Sequence, residues 1–218
     1  MGSMTSPASD SLTEIVSRLD ARLKRVDEER WLSSRYASET GRTSLIVLYS
    51  FYYELARVRL AVSDQTLGQI RFQWWREAIE EIERGDVREH DLVMALASEL
   101  GANRLDAAQL VHLIDQHQAA FLAHDRGLEP EGALALLAAE TIAREEAIDP
   151  QVAVIASDWA KLRRSEAATG KPARMHISSA LRPALAHLRL RHAWAAGRQP
   201  GPTRRRLSIL LAVFTGTV

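Results

Sequence analysis

Within the interiors of the predicted helices, two pairs of acidic residues have the spacing that could hold a divalent cation. Glu77 with Glu81, and Glu145 with Asp149, are each four residues apart, which places both carboxylates on one helical face. The first pair belongs to the polar face of its predicted helix, and the second lies at a helix end beside Pro150. Neither pair occupies an apolar helix, where a ligand for a metal in a cavity would be needed. The sequence therefore predicts no metal site and no catalytic residue.

Histidine and cysteine offer no alternative chemistry. His112, His117 and His124 follow one predicted helix, but spacings of five and seven do not bring them together as a pair of zinc ligands. The chain has no cysteine, which excludes disulfides, thiolate metal sites and a cysteine nucleophile. It also contains no glycine-rich phosphate loop and no Gly-x-Ser-x-Gly elbow. We therefore expect no cofactor.

A cluster of aromatic and charged residues in the second and third predicted helices could contact a ligand. Glu54 lies in an apolar helix, where a buried carboxylate could do acid–base work. A structural ion pair with Arg57 or Arg71 is the favoured interpretation, because an unpaired buried charge is costly. The neighbouring aromatic residues could line a lipid pocket, although ordinary core packing is commoner. The candidate ligand contacts are Tyr49, Tyr53, Glu54, Arg57, Arg71 and Trp74.

The charge of the chain is unevenly distributed although its net charge is zero. No Asp or Glu follows Glu166, whereas nine basic residues do: Lys171, Arg174, Arg182, Arg189, Arg191, Arg198, Arg204, Arg205 and Arg206. This basic end could bind an anionic partner, or it could face the acidic remainder of the chain within one fold. Arg204, Arg205 and Arg206 precede an apolar stretch, a pattern typical of a helix on an anionic membrane surface. A last core helix with a basic N-terminus fits equally well.

Helical periodicity dominates the chain, which predicts an all-α fold. Ser11 and Glu14 form a capping-box pattern that would begin the first helix. The second helix is predicted near 43–60, and its middle, 45–53, is apolar on all sides, so it is expected at the centre. In the third helix the predicted buried face is Leu67, Ile70, Trp74, Ala78 and Ile82. We expect one antiparallel bundle of about eight or nine helices over residues 5–218, with residues 1–4 a remnant of cloning.

The stretch from Ser34 to Ile82 resembles the squalene/phytoene synthase family. The residues that carry the resemblance are Glu54-Leu-Ala-x-Val58, then Val62-Ser63, and then Leu67-Gly-x-x-Arg71-x-Gln-x-Trp75. More narrowly, they resemble the non-catalytic branch that includes the mitochondrial complex I assembly factor. The resemblance implies an isoprenoid-synthase fold around a central apolar cavity. Active members of the family join prenyl diphosphates, with Mg²⁺ held by aspartates on two helices.

The positions implied for those aspartates are not acidic in this chain. The first motif corresponds to Ala56, Arg57 and Leu60, and the second would begin near Ser165, where Glu166 is the nearest acid. The leading hypothesis is therefore a pseudoenzyme that acts as an assembly or scaffold factor for a respiratory complex. Its expected partner is a protein or a lipid-like ligand. We expect it in the cytoplasm, with peripheral contact to the inner face of the membrane as an option.

Two alternatives remain open from the sequence. An active prenyltransferase that uses Mg²⁺ would need carboxylates such as Glu54, Asp115 and Glu140 to converge on one cavity. A module that binds an acidic polymer through the basic end would need one continuous exposed basic patch. Nucleic acid is the less favoured partner. The apolar runs are shorter than the ~20 residues of a membrane-spanning helix, so an integral membrane protein is not expected.

Overall fold

The computed structural model describes residues 7–123, 130–164 and 172–218. Helices form the regular structure of these ranges, which confirms the all-α prediction. The α-helices are α1 Pro7–Val26, α2 Glu28–Ser34, α3 Glu39–Ala61, α4 Gln65–Glu83, α5 Asp91–Gly101, α6 Ala107–Leu122, α7 Glu131–Ile142, α8 Gln151–Arg163, α9 Arg182–Leu185, α10 Arg191–Ala195 and α11 Pro202–Thr215. A 3₁₀ segment, Ala186–Leu190, joins α9 to α10. Several short helices raise the number above the predicted eight or nine.

Helix α3 lies at the centre of the bundle, as its apolar sequence predicted. Ser38 caps its N-terminus, where the hydroxyl oxygen accepts a hydrogen bond from the Gly41 amide at 3.2 Å. Residues 44–52 are all buried, and the helix packs against α1, α2, α4, α5, α6 and α7. A helix surrounded in this way must be apolar on every side. Beyond Tyr52 the helix becomes partly exposed, and there it forms one wall of the cavity described below.

The buried face of α4 differs from the predicted one. Leu67 and Ile70 were predicted to be buried, but each is 57% exposed. The buried row consists of Gly68, Phe72, Trp75, Ala78 and Ile79. Gly68 allows a close approach to α6, because a Cβ at this position would lie 2.2 Å from the ring of Phe121. Two neighbouring rows of α4 are apolar, so hydrophobicity alone does not select the one that faces the core.

The first two helices also depart from the prediction. Helix α1 begins at Pro7, so the capping box predicted at Ser11 and Glu14 is wrong and both residues lie inside the helix. Helix α2 was not predicted at all. Its buried residues are Glu29, Arg30, Ser33 and Ser34. Because every one of them is polar or charged, a search for hydrophobic periodicity misses this helix.

The C-terminal residues are tied back onto the body of the protein. Met175 and Val218 exchange two backbone hydrogen bonds of 3.0 and 2.9 Å. Gly216 ends α11 in the left-handed region with φ of 68°, and a Cβ there would lie 2.7 Å from the carbonyl oxygen of Ile177. In the described ranges, no helix combines the length and the hydrophobicity required to cross a bilayer.

Candidate functional site

A cavity of about 860 Å³ lies where the C-terminal parts of α3, α6 and α8 meet the junction of α1 and α2. Its size is within the range of small-molecule sites, roughly 300–1,000 Å³. The apolar and aromatic wall consists of Val26, Tyr52, Tyr53, Ala56, Leu60, Val62, Ala120, Phe121, Trp159 and Ala160. The polar and charged lining residues are Asp27, Arg30, Arg59, Ser63, Glu131, Arg163 and Arg164. The cavity therefore combines hydrocarbon surface with an arginine-rich charged part.

Arg30 forms the charged floor of the cavity. It is only 3% exposed, and its guanidinium makes ion pairs with both Asp27 and Glu131. The guanidinium carbon also lies over aromatic rings, 4.8 Å from the ring centroid of Trp159 and 5.2 Å from that of Tyr52. The guanidinium of Arg30 thus contacts both carboxylates and the aromatic rings. We call Asp27, Arg30 and Glu131 the floor triad.

The floor triad continues into a chain of ion pairs that reaches α11. Arg163 lies 3.5 Å from an oxygen of Asp27 and 3.3 Å from an oxygen of Glu29. The other oxygen of Glu29 accepts a hydrogen bond from Arg205 of α11 at 2.8 Å. Helices α2, α8 and α11 are therefore joined by alternating charges beside the cavity. This arrangement accounts for the acidic run that begins at Asp27.

The protonation states around the floor triad are fixed near neutral pH. Burial alone would raise the pKa of Asp27, but Arg30 and Arg163 outweigh it and the pKa stays below its ordinary value. Burial, together with the charge of Arg30, lowers the pKa of His187 well below its usual range. Burial raises the pKa of Tyr49, whose hydroxyl donates to the carbonyl oxygen of Ala184 at 3.2 Å. None of these three groups is therefore poised to exchange a proton near pH 7.

The residues at the cavity do not fit the Mg²⁺ sites of active family members. Ala56 and Leu60 of the first motif line the cavity, but they offer no oxygen ligand. Arg57, the remaining position of the first motif, is exposed. The acids that line the cavity, Asp27 and Glu131, are both bound to Arg30. Within the described ranges, no group of three or more His, Asp or Glu residues is arranged to hold a metal.

Of the positions singled out in the sequence, the structure describes two of the three histidines but not the second motif. Ser165 and Glu166, at the position of the second motif, lie outside the described residues, and so does His124. His112 is exposed and contacts Gln116 at 2.8 Å. His117 is fully buried against Tyr52, with ring centroids 4.6 Å apart, and neither of its nitrogens has a hydrogen-bond partner among the described residues. The described histidines of this helix thus occupy different environments.

The six candidate ligand contacts are divided between two places. Tyr53 lines the large cavity, and Tyr49 lies buried beneath it with its ring centroid 5.7 Å from the Arg30 guanidinium. The other four line a separate pocket of about 120 Å³ between α3 and α4: Glu54, Arg57, Arg71 and Trp74. Glu54 pairs with Arg57 at 3.1 Å, the structural pairing favoured by the sequence, and also with Arg22 of α1.

The carboxylates required by the prenyltransferase alternative do not converge. Glu54 lies in the small pocket, while Asp115 is exposed and pairs with Arg76 at 2.5 Å. Glu140 accepts a hydrogen bond from Gln109 at 2.6 Å and lines a different cavity of about 500 Å³. The three acids therefore lie at three sites, and the condition set for this alternative is not met.

Internal contacts divide the basic C-terminal part. Arg205 and Arg206 bind Glu29 and Glu28, at 2.8 and 2.5 Å. Arg182, Arg189 and Arg191 donate hydrogen bonds to backbone carbonyl oxygens. Arg174, Arg198 and Arg204 are exposed, and Lys171 lies outside the described residues. Among the described residues, two of the basic side chains thus pair with acids of the earlier part of the chain, and three are held by backbone carbonyl groups. The continuous patch required by the polymer-binding alternative is therefore interrupted.

The sequence did not identify the residues of the floor triad or their neighbour Trp159. Asp27 and Arg30 stand in a charged run that looks solvated, because it contains four consecutive charges in residues 27–30. Glu131 begins a helix, where an acid is common for reasons of helix polarity alone. Trp31 and Leu32, which follow Arg30 directly, are the one local signal that this charged run approaches the core.

Comparison with known proteins finds similarity to one family over part of the chain. The family described as squalene/phytoene synthase matches residues 23–127. The human, bovine and rat proteins named NADH dehydrogenase (ubiquinone) complex I, assembly factor 6 are 27%, 26% and 29% identical over 96 residues. That segment is 44% of this chain and 29% of each relative, so the match spans less than a third of the relatives' length. No solved structure matches the chain.

The segment matched by the family model, residues 23–127, includes the resemblance motif and part of the cavity lining. It contains α2 to α6, with Asp27 and Arg30 of the floor triad, and it ends before α8 and α11. The relatives are named for assembly of complex I and not for a condensation reaction. The resemblance to the squalene/phytoene synthase family, predicted from the residues between Glu54 and Trp75, is therefore confirmed over residues 23–127.

Proposed function

We propose that this protein is a non-catalytic scaffold of the squalene/phytoene synthase type that assists the assembly of a respiratory NADH dehydrogenase. The observation that carries the proposal is the chemistry of the cavity. Ala56 and Leu60, at the positions that the resemblance assigns to metal-binding acids, line the cavity, and Asp27 and Glu131 are both paired with Arg30. A prenyl diphosphate bound here would meet no free carboxylate among the described residues to organise Mg²⁺. The names of the relatives supply the assembly role.

We propose further that the cavity holds an amphiphile. Tyr52, Phe121 and Trp159 offer an apolar wall to a hydrocarbon chain. Arg163 lies in the same lining and could face an anionic head group directly. Recognition by guanidinium groups needs no metal, which separates this mode from the Mg²⁺-dependent mode of active relatives. Bound lipid extracted from the purified protein and identified by mass spectrometry would test this part.

The assembly role is tested by removing the gene from its own host and measuring assembled NADH dehydrogenase by native gel and in-gel activity. We expect loss of the assembled enzyme and recovery with the wild-type gene. Complementation by Ala56→Leu, which fills part of the cavity wall without adding a charge, reports whether cavity occupancy matters for assembly. Normal levels of assembled enzyme in the deletion strain would contradict the assembly role.

A further inference from the structure

Helix α11 presents apolar side chains on two opposite faces. Ile209 and Ala212 point into the core and are 1% and 0% exposed. On the outside, Leu207, Leu211 and Phe214 are 58%, 47% and 72% exposed. Their spacings of four and three residues place them in one row along the helix. We call these three residues the outer row of α11.

The charge around the outer row is positive. Arg204 stands three residues before Leu207, one turn away on the same side of the helix, and it is exposed. It makes no ion pair with the described part of the chain, whereas Arg205 and Arg206 bind Glu29 and Glu28. Residues 172–218 contain no Asp or Glu, so this segment offers no acid that would repel a negative surface.

We propose that the outer row of α11 docks the protein onto a bilayer that contains anionic lipids. The Leu and Phe side chains enter the boundary between head groups and acyl chains, while Arg204 stays at the level of the lipid phosphates. A convex row on one helix fits a deformable planar surface, and an acidic peptide would need a groove in which to lie. The proposal is independent of the assembly role and of the cavity.

Vesicle co-sedimentation tests the proposal. The full chain is mixed with vesicles of phosphatidylcholine alone and with vesicles that also contain phosphatidylglycerol, and wild type is expected to bind the anionic vesicles more tightly. The triple variant Leu207→Ser, Leu211→Ser, Phe214→Ser should bind the anionic vesicles about tenfold or more weakly, because the inserted apolar surface is lost. All three side chains lie on the exposed face of α11 and outside the core, so circular dichroism should show an unchanged helical fold.

A matched control removes the same number of exposed apolar side chains elsewhere. Leu67, Ile70 and Val154 are 57%, 57% and 60% exposed, and their triple serine variant should bind vesicles as wild type does. Arg204→Gln should weaken binding to anionic vesicles about fivefold and leave binding to phosphatidylcholine vesicles unchanged. Arg198→Gln, at an exposed position before α11, should have a smaller effect.

Three results would overturn the proposal. Wild-type binding by the α11 triple variant would show that the outer row does not insert. Equal losses in both triple variants would show that the contact is not specific to α11. A dimer of the wild-type protein in light scattering that becomes a monomer in the α11 triple variant, without vesicle binding by wild type, would assign the outer row to a second copy of the chain.

Discussion

The floor of the cavity and the outside of α11 both depend on arginine, but they use it in opposite ways. Arg30 is enclosed, pairs with two carboxylates and contacts three aromatic rings. Arg204 is exposed and has no acidic partner in the described residues. One charge organises the interior and the other remains available to a partner. A basic residue therefore indicates a binding partner only after its contacts within the protein are known.

Arg205 and Arg206 stand between these extremes. They adjoin Arg204 in sequence, yet Arg205 joins the chain of ion pairs that leads through Glu29 and Arg163 to Asp27. Arg206 forms a more exposed pair with Glu28. Three consecutive arginines therefore have three different roles. These roles follow the burial of each side chain, so variants at enclosed and exposed positions should differ in stability.

Removing the charge of the floor should have the largest effect. Arg30→Met leaves Glu131 buried without its counter-charge and leaves Asp27 with the longer contact to Arg163. We expect a loss of about 3–5 kcal/mol in the free energy of unfolding by urea denaturation. The combined variant Asp27→Asn, Arg30→Met, Glu131→Gln removes the uncompensated charge and should recover much of the loss. Equal stability of Arg30→Met and wild type would contradict the role given to the floor triad.

Filling the space at Gly68 should have the next largest effect. Gly68→Ser places atoms against the ring of Phe121, which lines the cavity, and should cost about 1–3 kcal/mol in the free energy of unfolding. Gly201→Ser is the control near α11. Gly201 caps that helix with nothing within 4 Å of an added Cβ, so a change within about 0.5 kcal/mol is expected. Similar costs at both glycines would show that α4 does not pack closely on α6.

Lowering the pH should destabilise the folded protein through the buried His187. Its folded pKa is depressed, so the folded state takes up fewer protons than the unfolded chain. The free energy of unfolding keeps its full value above the unfolded pKa of about 6.5. It falls as the pH drops below that value, by up to about 2 kcal/mol at pH 5. His187→Gln should lose correspondingly less stability between pH 7 and pH 5 in urea denaturation. An equal loss of stability between pH 7 and pH 5 in the variant and in wild type would mean that His187 becomes protonated in the folded protein.

The exposed pair at the start of α11 should have the smallest effect. The Arg206 side chain is 59% exposed, so its pair with Glu28 is screened by water. Arg206→Ala should change the free energy of unfolding by less than about 1 kcal/mol, and the change should shrink at high salt. A loss as large as that of Arg30→Met would remove the distinction between the enclosed and exposed arginines.

Sequence reasoning predicted the fold better than the site, for physical reasons. The all-apolar run of α3 requires a buried helix, so its central place was predictable. The inward row of α4 was not, because Leu67 and Phe72 lie on neighbouring apolar rows and contact with α6 decides between them. Helix α2 and Arg30 were missed since their burial depends on partners distant in sequence, Glu131 above all. Ala56 and Leu60 were singled out through the family resemblance alone, and both line the cavity.

The placement of Glu54 shows the same limit. Its burial beside Arg57 was expected from the helix, but the ion pair with Arg22 of α1 was not. Helical spacing gives neighbours within one helix, while contacts between helices depend on the angle at which they cross. The cavity floor combines the local pair of Arg30 with Asp27 and contacts between helices, from Arg30 to Glu131 and from Arg163 to Asp27. The sequence did not reveal the contacts between helices, which show that the local pair is buried.

The most direct test of the central claim is pyrophosphate release. Purified protein is incubated with farnesyl or geranylgeranyl diphosphate, Mg²⁺ and NADPH, beside an active squalene synthase and a heat-denatured sample. We predict release no greater than that of the denatured sample and no condensed product, because Arg30 already occupies the cavity acids Asp27 and Glu131. Mg²⁺-dependent release above that level, with a condensed product, would contradict the account.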